Sequence, residues 1–251
     1  RLKKDGYKNV IVASKKKLNL LDQIKVKKFL KKKKPKIVII AAAKVGGILA
    51  NNNFKANFIY ENLTIQSNII HSSYLSGVKN LIFLGSSCIY PKKTKQPIKE
   101  SYFMTGPLEE TNDAYSIAKI AGAKMCMEYS KQYKLNYRTL MPANMFGSND
   151  NYDLKSSHFF PALIKKIHLA KINNKKTMTL WGNGKPKREL LYVEDFADAC
   201  VFFMKKRTKE NFINIGSGLE KSIEEFARYI MKKLNIDLKI KYDLSKPNGM
   251  L

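Results

Sequence analysis

The amino-acid sequence predicts an α/β protein built on a doubly wound parallel sheet, with a smaller α/β lobe. Short runs rich in Val and Ile alternate with longer segments of helical periodicity, which is the pattern of consecutive βαβ units. The strand predicted at 36–41 is apolar without interruption, as expected of a strand that helices cover on both faces. The pattern loosens after about Asn144. We therefore assign residues 1–150 to the sheet domain and 151–251 mainly to the smaller lobe, with an interwoven boundary.

The elements follow one another in the order that βαβ units require. Strands are predicted where β-branched and apolar residues cluster, and helices where apolar residues recur at intervals of three and four. In the sheet domain we predict a strand at 9–13, a helix at 22–33, a strand at 36–41, a helix at 58–75, a strand at 80–84, a helix at 114–132 and a strand at 137–141. In the smaller lobe we predict a helix at 160–170, strands at 177–181 and 189–193, and helices at 193–205 and 222–234.

Both ends of the sequence are abrupt. A dinucleotide-binding fold normally opens with a strand and a glycine-rich turn, and no such turn precedes the strand predicted at 9–13. Residues 1–8 resemble the last turn of a helix, so we expect a strand–turn–helix unit of about 20 residues to be missing before them. The chain stops at Pro247-Asn-Gly-Met-Leu251, and we expect its C-terminal end to be missing as well.

The charge of the chain is strongly positive, with 47 lysines and arginines against 20 acidic residues and a net charge of +27. Only five of the basic residues are arginines, whereas proteins that read nucleic-acid bases depend on the bidentate arginine fork. The lysines are scattered along the chain. We therefore interpret most of the charge as solvated surface and expect no specific nucleic-acid partner.

The same sequence restricts the compartment. No apolar run approaches the roughly 18 residues of a membrane span, and no apolar segment follows the basic N-terminal residues as it would in a signal peptide. The three cysteines, at 88, 126 and 200, form no disulfide or zinc pattern. We expect a cytoplasmic protein that holds no metal and does not bind a membrane.

A Tyr–Lys pair and a preceding serine give the first chemical signal. Tyr115 and Lys119 are four residues apart in a predicted helix, so their side chains share one face. An ammonium group stabilises a phenolate, and we expect Lys119 to lower the pKa of Tyr115 into a useful range. Ser86 follows the strand predicted at 80–84, at the end of a parallel strand where α/β folds bind ligands. Its hydroxyl can hold a carbonyl oxygen there.

The Ser/Tyr/Lys triplet after successive strands resembles the short-chain dehydrogenase/reductase superfamily, in the extended form that acts on nucleotide sugars. Further stretches resemble one family of it, the GDP-L-fucose synthases, which are GDP-4-keto-6-deoxy-D-mannose epimerase/reductases. The resemblance covers nearly the whole chain and implies a Rossmann-like fold. Its stretches are AAAKVGGI at 41–48, GSSCIYP at 85–91, TNDAYSIAK at 111–119, MPAN at 141–144, SSH at 156–158, WGNG at 181–184 and RE at 188–189.

By this resemblance, Cys88 and His158 are the pair that moves protons. A 4-keto sugar has acidified hydrogens at C3 and C5, and each inversion needs one group to remove a proton and another to deliver one to the opposite face. Cysteine and histidine both titrate near neutral pH, as proton transfer prefers. Without their neighbours, Cys88 would be a small buried residue and His158 a helix cap or a surface residue.

The resemblance also implies the reduction step. Hydride from NADPH reduces C4, Tyr115 donates the proton and Ser86 holds the oxygen. Lys119 tunes Tyr115 and orients the cofactor ribose.

The predicted cofactor is NADP(H). Lys15 follows the strand predicted at 9–13, where no acid is present, and a base there favours the 2′-phosphate of NADP. Asp22 resembles the family's adenine-side segment, although a helix N-cap is its alternative role. The other candidates are small residues that allow close approach or residues beside the nicotinamide: Ala41, Ala42, Ala43, Pro142, Ala143, Asn144 and Met145, together with Lys119 and His158.

Three residues are candidates for binding the GDP-sugar substrate. Arg188 matches the family's arginine and has the bidentate geometry that phosphate needs. Lys166 stands where the family often has a second arginine, and this departure weakens the expected contact. Trp181 is expected to pack near the sugar nucleotide, and its alternative role is that of a core residue.

Two alternatives remain open from the sequence. The chain could be another nucleotide-sugar epimerase, dehydratase or reductase with the same triad, or a truncated, non-catalytic chain. Superfamily members typically dimerise through two helices per subunit, so we expect a homodimer through the helical patterns at 62–75 and 114–132.

Overall fold

We describe a computed structural model of the chain over residues 1–154, 156–206 and 208–246, with the side chains of Ile48 and Leu49 left aside. The C-terminal run Pro247–Leu251 lies outside the described residues. The helices are α1 (Gln23–Lys33), α2 (Ile48–Asn53), α3 (Lys55–Leu75), α4 (Asp113–Tyr133), α5 (Phe159–Ile172), α6 (Val193–Lys205) and α7 (Ile223–Lys233). The strands are β1 (Ile37–Ile40), β2 (Asn80–Leu84), β3 (Asn136–Pro142), β4 (Asn144–Phe146), β5 (Thr177–Trp181), β6 (Lys187–Tyr192), β7 (Phe212–Ile215), β8 (Glu220–Ser222) and β9 (Lys239–Asp243).

The main sheet has the order β1-β2-β3-β7, and all of its pairs are parallel. Side chains alternate between the faces of a strand, and both faces of β2 are covered. Leu81 and Phe83 pack in one core with residues of α1, α3 and α4. Ile82 packs in another core with Phe196 and Cys200 of α6. The predicted doubly wound parallel sheet is therefore confirmed.

The predicted strand at 9–13 is wrong. Residues 8–14 form no β structure, and Ile11 and Val12 are 46% and 86% exposed. An apolar run becomes a strand only when a neighbouring strand satisfies its backbone groups. Within the described residues, β1 is the terminal strand of the sheet and pairs only with β2, so this run has no ladder to join.

The second half of the chain supplies a strand to the main sheet. Strand β7, which the sequence pattern did not predict, pairs with β3 from Thr139–Phe212 to Pro142–Ile215. Conversely, β4 of the first half pairs with β6 of the second. The two parts of the chain are therefore interwoven.

The smaller lobe rests on two small sheets. One has the order β4-β6-β8, and the other pairs β5 with β9 in parallel. Helices α5 and α7 pack together over the second sheet. The core between them contains Leu163, Ile167, Met178, Leu180, Phe226 and Ile230.

Across the described residues, no helix combines the length and the apolar character needed to span a bilayer. In the same residues, no three His, Cys, Asp or Glu side chains come together as metal ligands would.

Candidate active site

The turn after β2 brings a hydroxyl and a thiol together. The Gly85 amide donates a hydrogen bond of 2.9 Å to the Leu140 carbonyl of the next strand, which fixes the exit of the chain from the sheet. A single 3-10 turn follows over Ser87–Ile89, with Ser86 as its N-cap. The Cys88 thiol donates to the Ser86 hydroxyl at 3.1 Å. The predicted Ser86 and Cys88 therefore lie in direct contact.

Helix α4 places the Tyr–Lys pair beside this turn. Gly122 allows the close packing, because a Cβ atom there would lie 2.5 Å from the Phe83 ring of β2. Lys119 is 4% exposed, and its ammonium group donates a 2.7 Å hydrogen bond to the Leu84 carbonyl at the end of β2. The same nitrogen lies 5.8 Å from the centre of the Tyr115 ring. Both side chains therefore face the carboxyl end of β2.

Burial dominates the acid–base properties of this cluster. It lowers the pKa of Lys119 to about 8. It raises the pKa of the Cys88 thiol. Hydrogen bonds with Ser116 and Ser86, together with the charge of Lys119, oppose this rise. Burial also raises the pKa of Tyr115, helped by the nearby Cys88 and opposed by a hydrogen bond with Ser86.

The expected lowering of the Tyr115 pKa by Lys119 is therefore wrong for this state of the protein. Desolvation of the phenol is the largest influence on its pKa, and the Lys119 ammonium makes its hydrogen bond to the Leu84 carbonyl. Burial therefore favours the neutral forms of the phenol and the thiol.

A loop at 41–47 follows β1 and is held by Asn62 of α3. The Asn62 side-chain oxygen accepts from the Lys44 amide at 2.8 Å, and its nitrogen donates to the Lys44 carbonyl at 3.0 Å. Asn51 of α2 donates to the carbonyls of Gly46 and Gly47 at 2.6 and 3.1 Å. Asn62 is 2% exposed and Asn51 is 7% exposed. Two buried asparagines therefore fix this loop.

His158 lies at the N-cap of α5, next to the same loop. Its side chain makes no capping hydrogen bond, which argues against a capping role. The Gly47 amide donates to the Ser156 carbonyl at 3.0 Å, and a Cβ atom on Gly47 would lie 2.5 Å from the Ser157 carbonyl oxygen. Partial desolvation lowers the pKa of His158, opposed by the charge of Asp150.

The remaining cofactor candidates occupy two regions. Ala41 and Ala42 are exposed and Ala43 is half-buried, directly after β1; Lys15 is exposed, and Asp22 caps α1 by accepting from the Lys25 amide. Pro142 is buried at the end of β3, and Met145 is 39% exposed. Between them, Ala143 is half-buried, and the Asn144 side chain donates to the Glu189 carbonyl at 3.1 Å.

The substrate candidates lie in the smaller lobe. The Lys166 ammonium of α5 is 5.1 Å from the centre of the Trp181 ring at the end of β5. Trp181 is 43% exposed, which argues against a core role. Arg188 of β6 is half-buried. Partial burial lowers the pKa of both Lys166 and Arg188.

The structure therefore brings the predicted Ser86, Cys88, Tyr115 and Lys119 into one cluster, and Lys166 and Trp181 into a second. Sequence reasoning missed Asn62 and Ser116, the latter fully buried beside Cys88. In the sequence each is an ordinary polar residue of a predicted helix. That it is buried can be recognised only once the buried face of the helix is known.

The sheet, the Tyr–Lys pair and the serine after β2 define a nucleotide-dependent epimerase or dehydratase of the α/β class. The chain belongs to the NAD dependent epimerase/dehydratase family, whose model matches residues 1–216.

Within this family, the resemblance to the GDP-L-fucose synthases is confirmed. The chain is 52% identical over 240 residues to the GDP-L-fucose synthase of Sinorhizobium fredii, covering 96% of this chain and 76% of that protein. A GDP-L-fucose synthetase from Naegleria fowleri bound to NADP superposes with a TM-score of 0.88 at 31% identity, over 99% of this chain and 76% of that chain. A GDP-mannoheptose C4 reductase from Campylobacter jejuni with NADP bound gives a TM-score of 0.88 at 36% identity, over 97% and 81%.

Proposed function

We propose that the chain is an NADPH-dependent epimerase/reductase that converts GDP-4-keto-6-deoxy-D-mannose to GDP-L-fucose. One observation carries the proposal: the Cys88 thiol contacts the hydroxyl of Ser86 beside the Tyr115–Lys119 pair. Reduction of a ketone needs the serine, tyrosine and lysine, but it does not need a thiol. A thiol in this position supplies a proton-transfer group for epimerisation at carbons next to the ketone.

Epimerisation is assigned to Cys88 and His158. The raised pKa of Cys88 and the lowered pKa of His158 favour a protonated thiol and a neutral imidazole, which are an acid and a base. At each inverted carbon the imidazole would remove the proton and the thiol would deliver its own proton to the opposite face, and exchange with solvent would then restore both groups. Ser86 donates a hydrogen bond to the C4 oxygen, which stabilises the enolate formed at C3 or C5.

Reduction is assigned to Tyr115, Lys119 and Ser86. Tyr115 donates a proton to the C4 oxygen that Ser86 holds, and the Lys119 charge stabilises the resulting phenolate. The raised pKa of Tyr115 keeps the phenol protonated until that step.

NADP(H) fits the residues at the carboxyl end of the main sheet. Ala41 and Ala42 are exposed there, and they present no larger side chain that would obstruct a nucleotide lying against the backbone. Lys15 would bind the 2′-phosphate, Lys119 the ribose, and the segment at 142–145 the nicotinamide side. NADPH, when bound, supplies the hydride for C4.

Binding of the GDP-sugar is assigned to the smaller lobe. Arg188 and Lys166 would bind the diphosphate, and the exposed ring of Trp181 would pack on the nucleotide sugar. The division of labour between residues 1–150, which bind NADP(H), and 151–251, which bind mainly substrate, is part of the proposal.

The proposal also includes a homodimer in the cytoplasm. Helices α3 and α4 expose large apolar side chains, with Tyr60 65%, Ile117 46% and Tyr133 38% exposed. Exposed apolar side chains on two neighbouring helices favour burial against a second copy. No nucleic-acid or membrane partner is part of the proposal.

A second candidate is a reductase that acts on a related GDP-4-keto sugar without inverting it, because the Campylobacter jejuni C4 reductase has nearly the same backbone. The experiment supplies GDP-4-keto-6-deoxy-D-mannose and NADPH to the chain in deuterated water. Oxidation of NADPH together with deuterium at C3 and C5 supports the first proposal. Oxidation of NADPH without incorporation of deuterium supports the reductase. If neither oxidation nor deuterium is observed, both proposals are overturned.

Cys88→Ser tests the assignment of the thiol. We expect it to slow deuterium exchange more than it slows reduction of the already epimerised ketone, because Tyr115 and Ser86 remain. Cys200→Ala, which removes a buried thiol from α6, is the matched control and should change neither rate selectively. Equal losses in Cys88→Ser would contradict the role of Cys88.

A further inference from the structure

The 3-10 turn after β2, which carries the candidate serine and cysteine, is attached to the sheet at both of its ends. At its start, the Gly85 amide donates to the Leu140 carbonyl of β3 at 2.9 Å. At its end, the Tyr90 hydroxyl donates to the side-chain oxygen of Asn214 in β7 at 2.5 Å. The two anchors lie on neighbouring strands, because β3 and β7 pair in parallel. The sheet therefore sets the position of the turn from both sides.

Tyr90 is itself fixed in the core. It is 1% exposed and packs in one cluster with Met141 and Phe212, and the Phe212 ring lies edge-to-face to it at 6.5 Å between centroids. A buried hydroxyl needs a hydrogen-bond partner, and Asn214 supplies it. Since Tyr90 is two residues beyond Cys88, its fixed position limits how far the turn can move.

Asn214 matches each of its side-chain polar groups to one partner. An asparagine amide has one acceptor oxygen and one donor nitrogen. The nitrogen donates to the Ile98 carbonyl at 3.1 Å, and the oxygen accepts from Tyr90. The backbone amide of Asn214 donates to a Glu100 carboxylate oxygen at 2.9 Å. The asparagine therefore joins both the end of the turn and the segment that follows it to β7.

We propose, on the basis of the function proposed above, that Tyr90 is a positioning residue for Ser86 and Cys88 and that it acts through Asn214. Ser86 must hold the C4 oxygen in both reactions, and Cys88 must reach C3 or C5. Both reactions depend on distances that a loosened turn would no longer maintain. Tyr90 touches neither sugar nor cofactor in this assignment. Its hydroxyl carries the role, because the ring fills the core with or without the hydroxyl.

The neighbouring strand offers a matched control. Tyr137 of β3 is also buried, and its hydroxyl donates to the Val78 carbonyl at 3.0 Å. Val78 precedes β2 and Tyr137 is the second residue of β3, so this bond lies at the amino end of the sheet, away from the candidate site. Tyr90→Phe and Tyr137→Phe therefore each remove one buried hydroxyl with its hydrogen bond and keep the ring.

The first test compares the two variants with GDP-4-keto-6-deoxy-D-mannose and NADPH in deuterated water. We expect Tyr90→Phe to lower kcat for NADPH oxidation and the rate of deuterium exchange about tenfold or more. KM for the GDP-sugar should change little, because the candidate substrate residues lie in the smaller lobe. Tyr137→Phe should lose a similar amount of stability in urea and keep both rates. The same loss of kcat in both variants, or no loss in Tyr90→Phe, would overturn the proposal.

The second test needs no turnover, so its outcome stands apart from that of the proposed function. Backbone hydrogen exchange, followed by mass spectrometry of the peptide that spans residues 85–90, reports how often the turn opens. We expect faster exchange in Tyr90→Phe and unchanged exchange in Tyr137→Phe. Asn214→Ala removes the acceptor and should also speed exchange, and adding Tyr90→Phe to it should speed exchange no further. Additive effects of the two changes, or unchanged exchange in Tyr90→Phe, would overturn the proposal.

Discussion

Asn62 is the residue whose replacement should separate cofactor binding from general stability. Its side chain makes both hydrogen bonds that fix the Lys44 backbone in the loop at 41–47, at 2.8 and 3.0 Å, and it is 2% exposed. Alanine at this position removes both bonds at once. The Lys44 backbone would then lose its hydrogen bonds to α3, although the ion pair between the Lys44 side chain and Glu61 of α3 would remain. The helix itself would keep its hydrogen bonds, because alanine is the best helix former.

The expected cost follows from these contacts. Two hydrogen bonds are worth about 1 kcal/mol each in net terms, and the truncated side chain leaves a small cavity worth about 1 kcal/mol more. The third bond of Asn62, to the Phe58 carbonyl at 2.8 Å, adds little, because that carbonyl already accepts the regular helix bond. We therefore expect the free energy of unfolding to fall by about 3 kcal/mol.

Two measurements on Asn62→Ala test this reasoning, and Ser130→Ala is the control. Urea unfolding gives the loss of stability, and fluorescence titration gives the affinity for NADPH. Because the loop must be ordered again when NADPH binds, we expect its dissociation constant to rise at least about tenfold, which corresponds to 1.4 kcal/mol. Ser130→Ala loses two buried hydrogen bonds to Tyr137 far along α4 and should lose stability with unchanged NADPH affinity.

The reasoning fails in either of two results. Unchanged NADPH affinity in Asn62→Ala would show that the loop at 41–47 does not contribute to the cofactor site. A similar loss of affinity in Ser130→Ala would show that global destabilisation, and not the loop, governs binding.

Three further predictions follow from the site. The pKa of Lys119, lowered to about 8, should make kcat/KM for reduction fall as pH rises through that value, because the neutral amine no longer stabilises a phenolate; a rate profile without this alkaline limb contradicts the assignment. Gly47→Ala should slow deuterium exchange, since the added Cβ would meet the backbone just before His158 at 2.5 Å, and unchanged exchange would show that the contact does not position the imidazole. Arg188→Ala should raise KM for the GDP-sugar roughly ten- to hundredfold by removing a charge-assisted bond, whereas Arg228→Ala, which removes an exposed ion pair with an acid of α7, should leave KM unchanged; equal effects would exclude a specific phosphate contact.

The sequence predicted those elements whose signal is local. The strands β2 and β5 and the helix α6 have the predicted bounds, because each is an uninterrupted apolar or amphipathic run. Strand β7 was missed because its four residues become a strand only by pairing with β3. The prediction of a strand at 9–13 was wrong for the converse reason. Its residues are apolar, but no strand among the described residues pairs with them. Pairing is a non-local property, and periodicity does not encode it.

The same distinction holds in the site. Ser86, Cys88, Tyr115 and Lys119 are found in short strings, and the structure brings them together. Ser116 differs from its neighbours only by the face of α4 that it occupies, which depends on how the helix packs. The raised pKa of Tyr115 also depends on burial, and spacing alone does not supply it.

The pairing of β7 with β3 has a consequence for synthesis of the protein. Residues 139–142 emerge from the ribosome well before their partners at 212–215, and at about 5–20 residues per second the open edge of β3 waits several seconds. During that interval the central strand presents unpaired backbone groups to any other extended segment. Completion of the sheet is therefore tied to translation of the second half of the chain, and a chain cleaved between the two halves should not yield two pieces that fold alone.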